Sequence, residues 1–241
     1  MKIRTAGRME MQTAGGIASL FIALAYLAAI PYFVLMVAYP GVTDPVRKVI
    51  LLRDNFTGMY LMHILSFELP ALALIVLITA VSRRLKILAP CLAQLMAAVG
   101  LIRACLLLAS VMVFNYGADA VVRLYAASPD QAVASWQVIE PVALALGGTG
   151  NELLGGVWML LLSAAALRAE EFPKALNWLG AGIGAAGVLS SIPALGGLET
   201  VFGLLQILWF SWLGIVMLRM RPNVLAQDLC AGAAAPIGSA I

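Results

Sequence analysis

The chain has 241 residues, of which 63% are hydrophobic and 11% charged, with a formal net charge of +3. Its mean hydropathy of +0.99 excludes an ordinary soluble domain, in which about 25% of residues are charged. The small net charge, with basic residues at helix ends, excludes a nucleic-acid footprint. Three scattered cysteines, Cys91, Cys105 and Cys230, exclude a disulfide framework or a thiolate metal site.

Several apolar runs exceed the roughly 18 residues that a helix needs to cross a bilayer. The expected fold is all-α, a polytopic membrane helical bundle with six transmembrane helices. The spans fall at about 15–38, 56–81, 88–114, 142–167, 175–195 and 199–219. Pro40 and Gly41, Pro90, Pro141, Pro173 and Pro222 punctuate their ends. The first span follows Lys2, Arg4 and Arg8, as a signal peptide would. Its apolar run is longer than the usual ~7–15 residues, so it reads as a retained helix. Residues 1–222 form the transmembrane domain and 223–241 a flexible cytoplasmic tail. The first loop, "GVTDPVRKVILLRDNF", is basic. The longest, 115–141, contains "DAVVRLYAASPDQAVASWQVIEPV". It is expected to form short helices on the bilayer surface, with Tyr125 and Trp136 at headgroup level.

Lysine and arginine set the orientation. With the N-terminus inside, the inner segments hold Lys2, Arg4, Arg8, Arg83, Arg84, Lys86, Arg168, Lys174, Arg219 and Arg221, ten in all. The outer loops hold Arg47, Lys48, Arg53 and Arg123, which is four. Both termini are therefore expected in the cytoplasm. A possible parallel repeat joins spans 2–3 to spans 4–5. A shift of 84 lays 67–100 over 151–184 with nine of 34 residues identical, including Glu68 on Glu152, Arg84 on Arg168 and Gly100 on Gly184.

The informative residues are the charges inside the spans. Helix rise places Glu68 beside the midpoint of the second span, and Arg103 and Glu152 each about 3 Å from the midpoint of theirs. Each would cost at least about 2.5–3.5 kcal/mol facing lipid. A Glu68–Arg103–Glu152 cluster inside the bundle is the expected arrangement, since one guanidinium can serve two carboxylates. Asn151, Thr149 and Ser66 could complete a polar network. Pro70 is expected to kink the helix just after Glu68. His63, the single histidine, lies about 7.5 Å outward from Glu68 and about 140° away in angle. It is an interior histidine or a proton-relay member. One histidine without a cysteine cluster makes no metal site by itself, and no cofactor is expected.

The text "RLKILAPCLAQLMAAVGLIRACLLLASVMV", then "VWMLLLSAAALRAEEFPKALNWLGAGIGAAGVLSSIPAL" and "LLQILWFSWLGIVMLR", resembles a large bacterial family of six-helix integral membrane proteins known only as a domain of unknown function. The likeness covers most of 50–219. It implies a bacterial inner-membrane protein and carries over no activity.

Three functions compete. A non-enzymatic subunit or scaffold of a membrane assembly fits the short loops and the lack of a catalytic motif. Its glycine-rich helix faces (Gly147, Gly148, Gly150, Gly155, Gly156, Gly180, Gly182, Gly184, Gly187) would meet a protein partner or a second copy, besides the lipid bilayer. A small transporter or channel, proton-linked or for a lipophilic solute, would use the midplane cluster and needs a water-accessible cavity reaching Glu68 or Glu152. An intramembrane enzyme or receptor for a lipid-like ligand would have His63, Glu68 and Glu152 as acid–base candidates and a pocket open sideways to lipid.

Overall fold

A computed structural model describes residues 2–147 and 151–220. The 223–241 tail and Gly148, Thr149 and Gly150 lie outside the described residues, which are helical with no strand among them. Helix α1 is Lys2–Ile30 and continues into a π-helical turn, Pro31–Met36. α2 is Pro45–Asp54. α3, Phe56–His63, runs through a second π turn, Ile64–Glu68, into α4, Leu69–Leu85. α5 is Pro90–Tyr125, α6 Pro129–Gly147, α7 Glu152–Arg168, α8 Lys174–Leu189 and α9 Leu198–Arg219.

Among the described residues five segments are long and apolar enough to cross a membrane: Glu10–Met36, Phe56–Leu85, Pro90–Tyr125, Pro129–Arg168 and Leu198–Arg219. α8 is not among them. Its 16 residues reach about 24 Å, short of the ~30 Å hydrocarbon layer. The π turn just before Pro70 accommodates the missing N–H there, so the expected kink takes that form. Pro141 lies inside α6 rather than at a helix end.

The longest expected loop is not a loop. α5 runs on to Tyr125, 36 residues and about 54 Å, and α6 returns along it. Their facing stripes, Phe114, Ala118, Val121 and Ala132, Trp136, Ala143, recur at helical spacing and are buried. Trp136 is enclosed rather than at a headgroup surface, and its Nε1 donates to the Tyr39 hydroxyl. Tyr125 packs under the Arg53 guanidinium. The basic first loop is likewise helical as α2. The Asp44 side chain accepts from the Val46 N–H and Pro45 occupies the first turn. α2 closes over the α5–α6 hairpin by burying Val49 and Leu52, and Lys48 Nζ reaches Glu140 at 2.7 Å. Tyr39 donates to the same carboxylate at 2.9 Å. Burial, and then the Glu140 charge, hold that phenol well above its ordinary pKa, so it stays a donor.

The second core is this one between α2 and the α5–α6 hairpin, and the larger, first core joins α1, α4, the first half of α5, α7, α8 and α9. Here α1 and α9 run antiparallel. Gln12 Nε2 donates to the Met217 and Met220 carbonyls, and Ser19 Oγ donates to the Phe210 carbonyl at 2.7 Å. Gly16 and Gly214 permit this approach, since a Cβ on Gly214 would sit 2.9 Å from the Gly16 carbonyl oxygen. α7 and α8 meet backbone to backbone, a Cβ on Gly156 falling 2.5 Å from the Gly184 carbonyl oxygen.

The glycine faces expected to meet a partner are thus largely filled from within. Gly147 abuts Ser110, Gly155 abuts Arg103 and Phe202, and Gly180 abuts Ser163 and Trp209. Gly187 abuts Phe202, whereas Gly182 faces open space.

The turn from α7 to α8 carries two residues in the left-handed region, Glu170 (φ 50) and Phe172 (φ 63). The surroundings over-determine it. Glu171 pairs with Arg84 at 2.7 Å, both side chains buried, while Asn177 Nδ2 donates to the Glu171 carbonyl and Arg84 lies over the Phe172 ring. Glu171→Ala strands the Arg84 charge and should cost about 3–5 kcal/mol. Asp54→Ala breaks the exposed Arg53–Asp54 pair and should cost no more than about 1 kcal/mol. Thermal unfolding of both variants in one detergent checks the contrast.

Candidate functional site

α1 and α9 stay in contact past Ser19, with Leu20 against Gly214 and the Tyr26 ring 6.4 Å from that of Phe210. Between the outer turns of α1 and the first turns of α9 lies a cavity of about 470 Å³. Its walls are mostly apolar, with Phe33 and Phe67 supplied by the two π turns. Val34 and Leu204, both half exposed, form its rim. Four polar side chains converge at its closed end: Arg103 from α5, Asn151 and Glu152 at the start of α7, and Gln206 from α9.

Arg103 is 5% exposed. Its Nη2 donates to Gln206 Oε1 at 3.0 Å. The guanidinium lies between the Trp158 and Phe202 rings, 5.9 and 5.8 Å from their centroids. It rests on the backbone of Gly155, where a Cβ would approach its Cζ to 2.8 Å. Yet Nε and Nη1 have no hydrogen-bond partner. Neither does either amide atom of Asn151, which is 4% exposed, nor Glu152 Oε2. Each such buried group left unmatched costs about 1–3 kcal/mol. Arg103 and Glu152 feel one another's charge, but they are not among the ion pairs within 4.0 Å of the described residues. They face one space without closing on each other.

The expected cluster is therefore only partly assembled. Arg103, Asn151 and Glu152 share the cavity, and Glu68 does not line it. Glu68 is half-buried at the end of its π turn, and no ion pair joins it to Arg103. Ser66 is buried with its hydroxyl unpaired, apart from the network expected for it, and Thr149 lies outside the described residues. His63 stands behind the cavity wall, its ring 4.9 Å from Phe33, 5.6 Å from Phe67 and 4.0 Å from Phe114. Its Nδ1 is buried without a partner. Among the described residues no group of three His, Cys, Asp or Glu could hold a metal ion.

Gln206, Trp158 and Phe202, which seat the arginine, do not emerge from the sequence reading. The one available signal was Gln206, an amide inside an otherwise apolar span. Comparison of the chain with models of protein families, with curated proteins and with solved structures finds no match.

Gln206→Leu removes the side-chain hydrogen bond of Arg103 and should destabilise by about 1–3 kcal/mol. Combined with Arg103→Met it should cost less than the two single changes summed, because no guanidinium remains to be satisfied. A double-mutant cycle on unfolding temperature in detergent tests this.

Proposed function

We propose that this is a multi-pass bacterial inner-membrane protein that binds a lipid-like amphipathic molecule in the cavity between α1 and α9, as a binding protein rather than an enzyme. One observation carries the reading. An apolar cavity of ligand size, within the ~300–1,000 Å³ usual for such sites, ends on buried polar side chains whose hydrogen bonds are unmet. Buried polar side chains of that kind are costly unless a polar group meets them. The exposed rim at Val34 and Leu204 gives a lateral route from the bilayer.

The scaffold reading loses part of its support, because Gly147, Gly155, Gly156, Gly180, Gly184 and Gly187 are occupied by the chain's own helices, while Gly182 stays open. The transporter reading asked for a cavity reaching Glu68 or Glu152, and the cavity touches the second alone. Six spans with cytoplasmic termini belong to the same proposal. The packing of α8 on α7 and the antiparallel run of α1 and α9 support a return of the chain through α8. The repeat belongs to it too. A shift of 84 carries Leu69–Leu85 onto 153–169, against α7 at Glu152–Arg168, and carries the first residue of α5, Pro90, onto the first of α8, Lys174. Kinship with the six-helix family rests on the quoted stretches of sequence.

Native mass spectrometry of the chain purified in mild detergent should show one retained amphiphile per protein. Gly203 lines the cavity and a Cβ there would meet nothing within 4 Å. Gly203→Phe should therefore fold and displace the ligand. A protein that carries no amphiphile before or after this change defeats the proposal.

A further inference from the structure

The polar end of the cavity has a donor and acceptor pattern that restricts what it can hold, an inference that rests on the binding reading above. The unmatched donors are Arg103 Nε–H and Nη1–H, with both amide N–H donors of Asn151. The unmatched acceptors are Glu152 Oε2 and the Asn151 amide oxygen. The arginine and the glutamate line one cavity and do not pair within 4.0 Å. Gln206 accepts from the guanidinium and Gly155 leaves it room. Glu199, in the first turn of α9, adds a second negative charge near Glu152.

A purely anionic headgroup would satisfy Arg103 and be repelled by the two carboxylates. A cationic one would satisfy Glu152 and be repelled by Arg103. A neutral alcohol would leave charged groups unmatched. We infer that the cavity recognises a zwitterionic amphiphile, with its acidic group on Arg103 and Asn151 and an N–H-bearing ammonium on Glu152. Such a head bridges the separated pair and meets donors and acceptors together. It also needs true N–H donors on the ammonium, which sets a primary amine apart from a trimethylated one. A phosphate or a carboxylate would serve as the acid.

The test is a thermal-unfolding titration of the purified full chain in maltoside micelles with single-chain amphiphiles. Lysophosphatidylethanolamine has the ammonium, lysophosphatidylcholine lacks its N–H groups, lysophosphatidic acid has the acid alone, and O-dodecanoylserine carries a carboxylate in place of phosphate. One of the two primary-amine zwitterions should bind about tenfold or more tighter than the choline lipid, the scale of one lost charge-assisted hydrogen bond. Whichever binds tighter identifies the acid. Glu152→Gln should shrink that preference to about twofold. Equal binding of ethanolamine and choline lipids, or a preference for the acid alone, would overturn the zwitterion and leave the cavity a lipid site. If no amphiphile shifts the unfolding temperature, and Gly203→Phe changes nothing, the binding reading itself falls.

Discussion

A guanidinium inside an apolar bundle is the constraint around which this molecule is organised. The Arg103 charge cannot be left to lipid, and the main chain of α5 offers it nothing. Its support comes from three other places. Gln206 of α9 accepts one hydrogen bond, Trp158 of α7 and Phe202 of α9 present ring faces, and Gly155 clears the space the group occupies. One side chain thereby fixes the spacing of three helices. Gln206 meets Nη2, while Nε and Nη1 are buried without a hydrogen-bond partner. Stability and binding draw on the same residue.

The cavity follows from how α1 and α9 are joined. Small residues and side-chain hydrogen bonds to carbonyls zip the two helices from Gln12 to Ser19. Further along, the cavity lies between Tyr26, Ala29 and Ile30 of α1 and Thr200, Gly203 and Leu204 of α9. Both π turns sit at this level, one at Pro31 and one ahead of Pro70. Each turns a phenylalanine, Phe33 or Phe67, into the cavity wall. A π turn widens the helix locally, and such turns recur at functional sites. His63 packs against both rings and against Phe114, so it links the cavity wall to the second core.

That second core gives the protein a distinct lobe. α5 is too long for one hydrocarbon layer, and its far end is covered by α6 and α2 rather than left bare. The Lys48–Glu140 pair and the Tyr39 and Trp136 hydrogen bonds close it. Pro40, next to Tyr39, lines the cavity, so the lobe and the cavity share a boundary.

How much was legible differs by element, for physical reasons. The last helix was placed at 199–219 and observed at Leu198–Arg219, because a long apolar run reports directly on transfer out of water. The α5–α6 hairpin was missed because Asp119, Arg123, Asp130 and Glu140 lower its mean hydropathy while its buried stripe keeps helical spacing. Helix rise puts Arg103 and Glu152 at one level, and they share a cavity with Asn151. It placed Glu68 there too, and Glu68 is elsewhere. Rise along a helix sets height from sequence alone, whereas the direction a side chain faces depends on how the helix is rotated against its neighbours. By itself the sequence determined the helical, lipid-compatible character of the chain and the depth of its internal charges. Tertiary packing alone decided which of those charges meet and that a cavity lies between the two end helices.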